Sequence, residues 1–108
     1  MSKQKRTPLR KMRIRNMDLQ NETMDGICMV WCFMSDVDLT GSSIRKVDFD
    51  GGHLRRLNMT DADLYHSNFH KADLANSILD NTNAVQCHFA NSFCQEVSFK
   101  GANLQGAI

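Results

Sequence analysis

The chain has 108 residues, 42% of them hydrophobic and 23% charged, with a formal net charge of +1. That length holds one small domain, too apolar for a disordered tail. Its longest apolar run, Ile27 to Met34, falls far short of the roughly 20 residues needed to span a bilayer, and the near-zero net charge selects no class of partner.

The first fifteen residues break the charge balance. Lys3, Lys5, Arg6, Arg10, Lys11, Arg13 and Arg15 are seven of the thirteen basic residues, with no acid among them, so residues 16–108 carry a net −6. No apolar h-region follows this basic start, and the cysteines at 28, 32, 87 and 94 show neither paired metal-knuckle spacing nor a secreted disulfide framework. The expectation is a reducing, cytoplasmic setting without a transmembrane segment. Residues 1–8 read as a flexible basic arm and 9–108 as the folded domain. The basic end would suit nucleic acid or another acidic surface.

From Leu9 onward, every fifth residue is apolar. The series begins Leu9, Ile14, Leu19, Met24, Met29, Met34 and continues unbroken to Leu104; eighteen of its twenty members are Leu, Ile, Met or Phe, types that supply only 27 of the 108 residues. A second series, two residues earlier, is mostly small or β-branched, as in Cys32, Val37, Ser42, Val47 and Gly52. Between the two stands Asp, Asn, Ser or His. A period of five matches neither the 3.6-residue helical turn nor strict strand alternation. It fits a short extended segment followed by a corner, repeated into a solenoid whose interior takes both series.

Ala62-Asp63-Leu64, Ala72-Asp73-Leu74 and Ala102-Asn103-Leu104 carry this pattern in its plainest form, and on them the chain resembles the pentapeptide-repeat proteins over residues 7–108. The resemblance implies an all-β fold, a right-handed quadrilateral β-helix in which four pentads make one square coil, with about five coils in total.

Residues twenty apart would then stack. Arg10, Lys11, Arg13 and Arg15 should decorate the first coil, where Glu22 places a carboxylate at an inward position that needs a partner. Val30 and Trp31 fall on corners and Phe33 on the usually polar position, so all three should face solvent beside Cys28, with the composition of a binding hot spot. Phe93 lies on the face of Phe33, further along the rod. Phe49, Phe69 and Phe89 should form an aromatic core ladder. Met12, Met17 and Leu57 are large for the second series and should displace their neighbours, whereas Ala84 and Cys94 are undersized for the first and should leave slack.

His53, His66, His70 and His88 have no metal-ligand spacing, and no phosphate loop or nucleophile motif is present. The expectations are a non-enzymatic molecule, no metal and no cofactor. The primary reading is a rigid module presenting Val30, Trp31, Phe33 and the basic end to a protein partner, with the resemblance extending this to bacterial scaffolds and effectors. The alternative, implied by the family's quinolone-resistance members, is a DNA mimic that binds the topoisomerase gyrase. Arg45, Lys46, Arg55 and Arg56 interrupt the acidic stripe such a mimic needs. The resemblance also implies a homodimer joined through the C-terminal end.

Overall fold

The corner of each pentad fixes the path of the backbone. In the computed structural model, which describes residues 12–108, every fifth residue from Asn16 to Gly106 sits at left-handed φ, between 54° and 76°. At most corners the amide three residues on donates back across the turn, as from Gly52 N–H to Phe49 C=O at 2.8 Å and from Ala62 to Met59 at 3.0 Å. A bond of this span with positive φ at the third residue is a type II turn. Glycine and asparagine accept that φ readily; Trp31, Lys46, Arg56 and Glu96 hold it against their own preference, because the winding imposes it.

Between corners the chain is extended and pairs in parallel with the segment twenty residues away. Strands β1 (Arg13–Arg15), β2 (Phe33–Ser35) and β3 (His53–Arg55) form one three-stranded sheet in the order β1-β2-β3, with Ile14 opposite Met34 and Met34 opposite Leu54. Single bridges repeat the same offset elsewhere, from Asp18 opposite Asp38 to Asn83 opposite Asn103. Four pentads therefore make one coil, and each coil is the template for the next.

The two inward series form the core. Leu39, Ile44, Leu54, Met59, Leu64, Leu74 and Leu79 are fully buried, together with the small series from Cys32 to Cys87. Phe49 stacks on Phe69 at 5.1 Å between ring centroids, and Phe69 on Phe89 at 5.3 Å, as the spacing predicts; Phe99 closes the ladder edge-on at 5.6 Å. Offset-parallel rings add roughly 0.5–1.5 kcal/mol per pair to their burial.

The intervening Asp and Asn residues have a structural task. Each turns its Oδ1 back to accept the amide two residues on: Asp38 from Thr40, Asp48 from Asp50, Asn68 from His70 and Asn83 from Val85. This Asx turn satisfies a corner N–H that would otherwise lack a partner. Where the position is Ser, an aspartate from the coil before takes over, as Asp25 does for Arg45 N–H and the Ser43 hydroxyl.

Three serines of the small series, Ser42, Ser67 and Ser77, close turns in the preceding coil. Ser77 Oγ accepts Leu57 N–H at 3.0 Å and donates to Leu54 C=O at 2.9 Å; Ser67 links Val47 and Ile44 in the same way, and Ser42 links Glu22 and Leu19. At the corners of Met17, Val37 and Leu57 the direct bond across the turn is absent among the described residues, and β1, β2 and β3 lie just before them; Ile27, also large, keeps its bond to Met24 C=O at 3.3 Å.

Glu22 departs from the expectation: it is exposed and makes no ion pair among the described residues. It belongs to the outermost described coil, where the inward direction meets no further layer, and Met12 and Met17 are exposed for the same reason. At the other end Cys94, Leu104 and Ile108 line an open hollow of about 330 Å³ beside Phe89 and Phe99, while Ala84 is buried.

Candidate interaction surface

The register of twenty decides what surrounds the outward aromatics. Trp31 is 57% exposed, and its indole lies across Gly51 in the next coil: a Cβ there would sit 2.4 Å from Trp31 Cδ1. The same column continues to Lys71. Next to it runs the column of Arg13, Phe33, His53, Asp73 and Phe93.

Phe33 does not project into solvent as its position in the pentad predicts. The Arg13 guanidinium covers one face of its ring at 4.6 Å to the centroid, and His53 stacks on the other at 4.6 Å with planes 3° apart. It is half-buried because a flat ring and a flat cation occupy the same position in adjacent coils, where the strand spacing suits stacking and cation–π contact. Val30 is also half-buried, one residue from Trp31 but in the column of Asp50 and His70, outside the hollows described below. Phe93 fulfils its expectation: it is 64% exposed and shares the Phe33 column.

A third column carries Arg15, Ser35 and Arg55. Arg55 Nε binds Asp73 Oδ2 at 2.9 Å, and Arg56 binds Asp36 through Nε and Nη2 at 2.8 and 3.0 Å. The Arg56 hydrogen bonds hold the Asp36 carboxyl below the usual carboxylate range and raise Arg56 in return. Two adjoining hollows result. One, of about 280 Å³, lies between Arg13, Arg15, Arg55 and Arg56; the other, of about 720 Å³, lies between Trp31, Phe33, His53 and Lys71. Arg10 and Lys11 lie outside the described residues. By sequence position alone none of Gly51, His53 and Lys71 is assigned to this face, His53 being weighed there only for metal spacing, yet adding twenty to 31 and 33, and forty to 31, finds all three.

This arrangement offers charge, hydrogen-bond donors and flat apolar surface. Elsewhere, His66, His70 and His88 border a hollow of about 410 Å³, with His70 Nδ1 3.2 Å from Asp50. Among the described residues no group of three or more His, Cys, Asp or Glu is placed to hold a metal ion. Burial pushes the Cys32 thiol up to about 12 and the Cys87 thiol to about 11, so both stay protonated near neutrality, the wrong state for a nucleophile. No helix among the described residues is long and apolar enough to cross a membrane.

Comparison with known proteins agrees with this geometry. The family model for pentapeptide repeats matches in eight copies, at residues 32–70, 43–81 and 67–106. Among solved structures, the chain is similar to a pentapeptide repeat protein of the Arabidopsis thaliana thylakoid lumen, with TM-score 0.81, 21% identity and coverage of 86% of this chain and 65% of that one. It is also similar to QnrB1, a plasmid-mediated fluoroquinolone resistance protein, with TM-score 0.69, 20% identity and coverage of 82% and 47%. HetL, involved in heterocyst differentiation regulation in the cyanobacterium Nostoc, gives TM-score 0.60, 19% identity and coverage of 94% and 43%. The chain thus spans less than two thirds of the length of each, and identities this low reflect a common fold. No curated protein sequence matches it.

Proposed function

Because the chain belongs to the pentapeptide-repeat family, we propose that it is a non-catalytic binding module whose rigid solenoid presents the Trp31 face to a protein partner. The observation that carries this reading is Trp31 itself. The winding sets its φ of 59°, as at every fifth residue, but 57% of its surface meets water. That exposure does not serve the core, and the ring is flanked by Phe33, His53 and a set of arginines. Tryptophan and arginine are the residue types most enriched where binding energy concentrates. The ladder of parallel coils supports them from behind, so little ordering entropy is lost on association.

In this reading the winding is right-handed with about five coils; the basic arm expected over 1–8, the start of the β-helix expected over 9–108, and Arg10 and Lys11 lie outside the described residues. The hollow at Phe99, Leu104 and Ile108 is where a second copy would dock. The setting is a bacterial cytoplasm. A second reading, the gyrase-directed DNA mimic, draws on the shared fold with QnrB1, but the charge pattern supports it less. Arg45, Arg55 and Arg56 pair with Asp63, Asp73 and Asp36, so the acidic columns are neutralised where a phosphate-like stripe would need them bare.

The test is affinity capture from native lysate with the wild-type chain and with the Trp31→Ala, Phe33→Ala double variant. A protein retained by the first and lost by the second is the expected result. An identical set on both refutes the assignment of this face. Inhibition of gyrase supercoiling by the purified chain would favour the second reading.

A further inference from the structure

We propose that the Trp31 face holds a short, extended, acidic segment of its partner, with carboxylates at both ends of the contact and an apolar side chain between them. This rests on the protein-binding reading above and names the chemistry of what is bound.

The argument begins with unpaired charge. Three acids border the face: Asp36 and Asp73 are bonded to Arg56 and Arg55, and Asp50, whose carbonyl accepts Trp31 N–H, has its carboxylate 3.2 Å from His70 Nδ1. Arg13, Arg15 and Lys71 have no acidic partner among the described residues. The face therefore keeps a surplus of cations on a chain whose net charge is only +1.

These cations are not randomly placed. Arg13 and Arg15 are in β1; Trp31 and Phe33 are one coil on, followed by Gly51, His53 and Arg55, and Lys71 is a coil further. The positive groups thus bracket the aromatic centre along the rod axis. Three coil steps at the usual strand spacing are roughly 14 Å, the reach of four or five extended residues. The absent Gly51 side chain leaves Trp31 lying flat across that path.

The nature of the rings favours a peptide over nucleic acid. Single strands bind by stacking successive bases on open aromatic faces. Here both faces of Phe33 are covered, by Arg13 and His53, and exposed Phe93 lies three coils on in the same column, which leaves the indole as the open ring between Arg13 and Lys71. The Arg13 guanidinium, with its Cζ 4.6 Å from the ring centroid, carries its N–H donors in its own plane, where they suit the paired oxygens of a carboxylate.

Trp31 is the single tryptophan, so its emission reports directly on this face. The experiment titrates the full chain with three probes: a short peptide with Asp and Glu flanking a central Leu, the same peptide with Asn and Gln in place of the acids, and single-stranded oligothymidylate. The acidic peptide should shift and quench Trp31 emission saturably, weaken with added salt, and bind about tenfold less tightly to the Arg13→Gln, Arg15→Gln variant. Far-UV circular dichroism establishes that the variant keeps the fold. Equal binding of the acidic and amide peptides, tighter binding of oligothymidylate, or no response to the acidic peptide would each overturn the proposal. Loss of a captured protein in the Trp31→Ala, Phe33→Ala variant alongside a silent acidic peptide would leave the binding-module reading standing and remove only this chemistry.

Discussion

Replacing Ser77 with alanine removes one oxygen and opens a turn in a different coil. Its hydroxyl is the link between Leu57 N–H at 3.0 Å and Leu54 C=O at 2.9 Å, and all three residues are no more than 1% exposed. A buried donor or acceptor left without a partner costs about 1–3 kcal/mol, so two stranded groups set an upper bound of about 6 kcal/mol. The turn has a way to relax, since Gly52 N–H reaches Phe49 C=O directly at 2.8 Å in the corner just before it. Leu57 is larger than Gly52 and resists that closure, so we expect a loss of about 2–3 kcal/mol. Ser92→Ala is the matched control. The Ser92 hydroxyl donates to Phe89 C=O, which already receives Ser92 N–H at 3.0 Å, and otherwise meets only the exposed Cys94 Sγ at 3.3 Å, so its removal should cost under about 1 kcal/mol. Urea unfolding followed by Trp31 emission and by circular dichroism gives both values, provided the slopes match. A Ser77→Ala loss no greater than that of Ser92→Ala would refute the idea that the hydroxyl closes the turn below.

Phe69→Ala, in the middle of the ladder, should cost about 3–5 kcal/mol, and Phe89→Ala clearly less because Phe89 is only half-buried; equal losses in urea unfolding would count against the ladder as a packed stack. The fold favours the neutral form of the Cys32 and Cys87 thiols, so their contribution is complete below the ordinary value of 9.0 and is lost as pH rises toward about 11 for Cys87 and about 12 for Cys32. Above 9.0 each adds a downward slope of about 1.4 kcal/mol per pH unit, and Cys32→Ala should remove its share in denaturation curves taken across that range. In alkylation followed by mass spectrometry, exposed Cys94 should react before either of them; early labelling of Cys32 would contradict its burial. Gly51→Ala puts a methyl group where the Trp31 indole lies, so Trp31 emission should move to the red, with about 1 kcal/mol lost to the left-handed φ of +69°; unchanged emission would show that the ring does not rest there.

The interior was legible in the sequence because one side chain in five has nowhere else to go. Leu64, Leu74 and the Phe49–Phe69–Phe89 stack follow from counting. What counting along the chain missed depends on neighbours a full coil away. By its place in the pentad Phe33 faces solvent, because its covering groups, Arg13 and His53, lie twenty residues off on either side. Glu22 reads as inward because the pentad pattern does not mark where the stack of coils is uncovered. The left-handed φ of Lys46, Arg56 and Glu96 runs against residue preference and is set by winding alone. The serine links were hidden because Ser42, Ser67 and Ser77 look like simple small fillers until the turn beneath each is in view.

The pairing of each residue with one twenty positions away gives the chain two units of length. Adding or removing five residues preserves the alternation that fills the interior, yet it turns everything downstream by a quarter revolution. A single extra pentad between Phe33 and His53 would leave a sound core while sending His53, Arg55 and Lys71 round to a neighbouring wall, away from Trp31. Only insertions of twenty keep the walls aligned. For relatives of this molecule, drift in length is therefore tolerated by the interior and punished at the surface, so the phase of an insertion records whether a wall was in use.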